Sequence, residues 1–106
     1  MTRVTVLPAN IEFEAAEGET LMGAAQAHGL YWPTTCGGQG LCTTCLTEVV
    51  SGAGLLVEMG RYERRMLSAE RGPAILKRPV RLACQTAVRS AGSVVLNKPG
   101  VQPAEL

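Results

Sequence analysis

Four cysteines carry the chemistry this sequence can do. Cys36, Cys42 and Cys45 fall within ten residues of one another, and Cys84 follows after 38 intervening residues. The pattern is C-x5-C-x2-C and then a distant fourth, so three thiolates come from one loop and one from a separate element. A [2Fe–2S] cluster needs four thiolates, two on each iron, and a loop that supplies three of them must fold tightly around a compact group. Gly37, Gly38 and Gly40 give that loop its freedom, because glycine reaches positive φ without steric cost and lets main-chain N–H groups approach the sulfurs. Thr34, Thr35, Thr43 and Thr44 add hydroxyl donors. Zinc also accepts four thiolates, but structural zinc sites usually pair two short-spaced knuckles and this chain has a single C-x2-C. A redox dithiol at Cys42 and Cys45 would need a helix to start there, whereas Leu46 to Val50 reads as strand. A Rieske centre needs two histidines, and His28 is the only one.

The elements that must position these cysteines can be read from periodicity. Val4 and Val6, then Ile11, Phe13 and Ala15, alternate with polar neighbours across a Pro8-Ala9-Asn10 turn, which is an opening β-hairpin. Leu21, Ala24, Ala25 and His28 recur at helical spacing, with Thr20 as N-cap and Gly29 as stop, so a helix is predicted over Leu21 to His28. Trp32 to Cys45 has no amphipathic period and reads as a loop, with Trp32 covering the core. Leu46 to Val50 is a strand broken at Gly52-Ala53-Gly54. Glu58 to Ala69 reads as a short helix with Met59, Tyr62, Met66 and Leu67 inward. Two strands, Val80 to Val88 and Ser93 to Leu96, follow, and residues 100–106 read as a loose tail. This order gives an α+β domain with a mixed sheet, one main helix and a short second helix, for which β-grasp is the natural candidate.

Composition narrows the function classes. A hydrophobic fraction of 46% and a charged fraction of 18% are those of a folded globular chain, and 106 residues suit a single domain over 1–106. The N-terminal apolar run is too short for a signal peptide and no stretch reaches the roughly 18 apolar residues of a membrane span, so a soluble, cytoplasmic protein is expected. There the cysteines would stay reduced and available to a metal, which disfavours two disulfides. Residues 1–57 hold Arg3 against five glutamates, a net −4, and residues 58–106 hold nine Lys or Arg against four glutamates, a net +5. A polyanion binder would concentrate its basic residues more than this, so nucleic acid is not expected as a partner. No paired carboxylates, no Ser/His/Asp set and no phosphate-cradling loop stands out, so the chain is not expected to be an enzyme.

Three motifs in order carry a family likeness: Gly18-Glu19-Thr20-Leu21 leading into the helix, Cys36-Gly37-Gly38-Gln39-Gly40-Leu41-Cys42-Thr43-Thr44-Cys45, and Arg81-Leu82-Ala83-Cys84-Gln85. Over about residues 3–98 the chain resembles the [2Fe–2S] ferredoxins of β-grasp fold, in the branch with five residues between the first two ligands, similar to adrenodoxin-like and related bacterial ferredoxins. The resemblance implies one [2Fe–2S] cluster on Cys36, Cys42, Cys45 and Cys84, with Cys36 and Cys42 on the iron nearer the surface. It implies a one-electron carrier, with a flavin-containing NAD(P)H reductase as donor and an oxygenase as acceptor, such as a cytochrome P450 or a ring-hydroxylating enzyme. A monomer is expected. A redox- or iron-sensing module is the alternative. Where familiar members present acidic docking groups after the cluster loop, this chain has Arg61, Arg64 and Arg65, so a partner using the same face would offer carboxylates.

Overall fold

The alternation in the first fifteen residues builds β1 (Thr2–Leu7) and β2 (Ile11–Ala15), antiparallel, with Asn10 at φ 60 closing the turn between them. Asparagine tolerates that left-handed conformation because its short side chain hydrogen-bonds locally. The computed structural model describes residues 1–32 and 46–103. After the hairpin come α1 (Leu21–Ala27), β3 (Leu30–Tyr31), β4 (Leu46–Ser51), α2 (Arg61–Arg71), β5 (Val80–Leu82), β6 (Gly92–Asn97) and β7 (Gln102–Pro103).

Five strands form one mixed sheet in the order β2-β1-β6-β4-β5. β1 runs parallel to β6, while β4 runs antiparallel to both β6 and β5. Register lines the apolar side chains into rows, Phe13–Val4–Val94 across three strands and Val6–Leu96–Val49 beside it. Thr20 caps α1 by accepting a hydrogen bond from Gly23 N–H at 3.0 Å, and the helix lays Leu21, Met22, Ala24 and Ala25 into the core. Trp32 is buried in the same cluster. Each fully buried aliphatic side chain contributes roughly 1.5–3 kcal/mol of transfer free energy, so these rows and the helix face fix the sheet against the helix. The result is the β-grasp arrangement expected.

Four sequence expectations need correction. The run Val80 to Val88 is a strand only to Leu82. Beyond it the chain turns through Ala83–Gln85, and Ala87 and Val88 make isolated bridges to Thr20 and Leu56. The second helix begins at Arg61 rather than Glu58, and Tyr62 is exposed, while Glu63 takes the buried place beside Leu67. A short ladder pairs Leu30–Tyr31 with Gln102–Pro103, which the sequence did not suggest. The tail expected from residue 100 is therefore tied down, with Val101 buried and strand pairing through Pro103.

Candidate metal centre

Cys84 sits on the turn that ends β5, and that turn is held by its own hydrogen bonds and by two helices. Within it, Gln85 N–H donates to Leu82 O at 2.9 Å and the buried Thr86 hydroxyl donates to the same carbonyl at 2.7 Å. From α1, the first-turn N–H groups of Leu21 and Met22 donate to Thr86 O and Ala83 O at 2.9 and 3.1 Å. Those N–H groups have no partner inside their own helix, so the helix start satisfies its donors by gripping the turn. From α2, the Glu63 carboxylate reaches the end of β5. It accepts from Arg81 Nε–H and Nη2–H at 2.8 and 3.0 Å, and from Leu82 N–H at 2.9 Å. Glu63 is 2% exposed, and a bidentate guanidinium plus a main-chain donor satisfy the charge that burial strips of water.

The thiol so placed is 8% exposed, and the Gln85 side-chain N–H donates to Cys84 Sγ at 3.6 Å. A shielded sulfur with an amide donor aimed at it fits a cluster ligand, since hydrogen bonds to sulfur and exclusion of solvent tune such a site. Leu46, the first residue of β4, pairs with Leu82, so the chain that carries Cys45 enters the sheet two residues from Cys84 along the neighbouring strand. Cys36, Cys42 and Cys45, with Gly37, Gly38, Gly40 and the loop threonines, lie outside the described residues. Arg61, Arg64 and Arg65 are all exposed on α2. Glu63 and Gln85 are the site residues that sequence reasoning passed over. Glu63 looked like one more charge in a basic helix, and its partners lie 18 and 19 residues away.

Residues 4–89 match the model of the 2Fe-2S iron-sulfur cluster binding domain. The chain belongs to this family. It binds one [2Fe–2S] cluster, which sets the zinc reading aside, and it is a ferredoxin-type electron carrier rather than a catalytic enzyme. The 2Fe-2S ferredoxin-5 of Aquifex aeolicus (strain VF5) is 33% identical over 99 residues, covering 93% of this chain and 100% of that protein. The crystal structure of the ISC-like [2Fe-2S] ferredoxin of Pseudomonas putida JCM 20004 matches with a TM-score of 0.74 at 27% identity, over 100% of both chains. The Amycolatopsis cytochrome P450 reductase matches with a TM-score of 0.72 at 26% identity, over 99% of this chain and 28% of that one. Among the described residues no helix is long and apolar enough to cross a membrane.

Proposed function

We propose that Cys36, Cys42, Cys45 and Cys84 are the four cluster ligands, and that the chain passes single electrons from a flavin-containing NAD(P)H reductase to an oxygenase. The observation that carries the ligand assignment is the buried Cys84 thiol on a turn gripped from α1 and α2, beside the strand that follows Cys45. A bound cluster supplies a one-electron couple, at about −400 mV in plant-type members. The chain's own residues do the rest. The buried core to which Cys84 belongs keeps water from its sulfur, and the Gln85 N–H favours extra negative charge on it. The Glu63 and α1 contacts hold the turn so that little has to move on electron transfer. Gly37, Gly38 and Gly40 give the loop backbone the freedom to turn its N–H groups toward the cluster sulfurs.

The likeness to part of a cytochrome P450 reductase supports a place in a reductase–oxygenase chain, and exposed Arg61, Arg64 and Arg65 suit a carboxylate-bearing docking partner. The same reading takes the carrier as a single-domain cytoplasmic monomer. The ligand assignment is tested by iron and sulfide analysis with visible spectra of the native protein and of Cys36→Ser, Cys42→Ser, Cys45→Ser and Cys84→Ser. The native protein should hold about two irons and two sulfides per chain and bleach on reduction, and each variant should lose or severely weaken the chromophore. An unchanged spectrum in any one variant removes that cysteine from the set.

A further inference from the structure

Between the 53–59 segment, the start of α2 and the end of β5 lies a groove of about 490 Å³, lined by Arg64, Arg81 and Arg89 with Glu58 as the one acidic neighbour among the described residues of the lining. Arg81 is committed to Glu63, but Arg64 and Arg89 pair with no carboxylate among the described residues. Arg89 is held in place by its Nε–H, which donates to Gly54 O at 3.2 Å. The groove continues into an apolar cleft of about 150 Å³ lined by Leu56, Met59, Pro79 and Val80, with Ala53, Leu56, Met59 and Arg81 common to both parts. A cationic mouth joined to an apolar floor is complementary to one kind of occupant. Its carboxylates would meet Arg64 and Arg89 and its aliphatic side chain would fill the cleft beside them, each half excluding water from the other.

We propose that this groove docks an acidic chain segment of a redox partner, with a leucine-like side chain seated between Leu56, Met59 and Val80. The inference rests on the electron-carrier reading but not on the outer face of α2. Arg64 belongs to both ideas, but Arg61 and Arg65 do not line the groove and Arg89 does not lie on α2, so the two can fail separately at those positions.

The test is a titration of the 15N-labelled holoprotein at low ionic strength with the blocked peptide Ac-Asp-Glu-Leu-Glu-Asp-NH2, followed by amide chemical shifts. Saturable shifts are expected at Gly54, Glu58, Met59, Arg64 and Arg89. Replacing the peptide leucine by serine should weaken binding about tenfold, the scale for losing one buried aliphatic side chain. Arg89→Glu, an exposed position, should weaken it at least as much, and Met59→Gln is a second variant should Arg89→Glu disturb the fold. Shifts confined to Arg61 and Arg65 would overturn the groove and leave docking on the outer helix face standing. Equal binding of the serine peptide, or the same shifts from inorganic phosphate, would overturn it by showing attraction of charge alone, as would binding that survives both variants.

Discussion

Glu63 is the side chain by which α2 holds the strand end that leads into Cys84. A carboxylate 2% exposed is tolerated only because Arg81 and the Leu82 N–H surround it, and Arg81 in turn has 13% of its side chain exposed. Removing one partner leaves the other charge buried and alone, which typically costs about 3–5 kcal/mol, whereas an apolar replacement of both can be nearly neutral. Glu63→Ala should therefore lower the thermal midpoint of the holoprotein by roughly 12–40 °C at fixed scan rate, given roughly 4–8 °C per kcal/mol for a domain of this size. The pair Glu63→Leu with Arg81→Met should be less damaging than the sum of its single changes. A midpoint for Glu63→Ala within a degree or two of native would mean that the α2 contact does not hold the turn.

At the scale of elements, the sequence is legible wherever structure follows from local periodicity and illegible wherever it follows from a distant partner. The opening hairpin and α1 are written in the alternation of Val4, Val6 and Phe13 and in the Thr20 cap, and the structure has both. The cysteine spacing was legible for the same reason, since it belongs to the chain itself and pointed to the family that the match over residues 4–89 shows. The run Val80 to Val88 has the composition of a strand, yet after Leu82 the Thr86 hydroxyl and α1 capture the groups that a ladder would use. Tyr62 and Glu63 exchanged places because helical spacing cannot anticipate an arginine 18 residues on. Gly52, read only as a strand breaker, has a sharper role. At φ 86 it lets β4 leave its pairing with β6, and a Cβ there would lie 2.5 Å from Ser93 O and 2.9 Å from Val94 Cα. Both atoms are backbone and cannot step aside. Gly52→Ala should cost about 1–3 kcal/mol through strain in the left-handed region, while Gly60→Ser at the α2 cap should fall within about 0.5 kcal/mol of native. Thermal midpoints of the two variants provide the check, and equal midpoints would show that β6 yields at this crossing.

For the whole molecule, the uneven spread of charge along the chain becomes a separation in space. Exposed Glu12 and Glu14 lie on β2 at one edge of the sheet, and β5, next to the arginine-bearing α2, is the other edge. With about 4.8 Å between strands, the edges are roughly 19 Å apart. That exceeds the distance of about 10 Å over which exposed charges are screened at 0.1 M salt, so an approaching partner meets a basic side and an acidic side largely independently. Long-range charge of this kind acts mainly on the association rate and little on the bound complex. If the basic side receives the partner, Arg61→Glu with Arg64→Glu and Arg65→Glu should slow second-order reduction by a flavoprotein reductase that reduces the native protein, or slow oxidation by its acceptor. The loss should be greatest at low ionic strength, with the cluster spectrum intact because, among the described residues, the side chain that ties α2 to the Cys84 turn is Glu63 and the three arginines are exposed. Glu12→Lys with Glu14→Lys, on the far edge, should leave that rate within about twofold, because a Debye length screens it from the docking face. The decisive measurement is the rate constant against ionic strength for the native protein and both variants. Equal rates for the native and triple-arginine proteins across the salt range would remove both the outer face of α2 and the Arg64 contact of the groove from docking, and a loss confined to the glutamate variant would move the partner to the β2 edge.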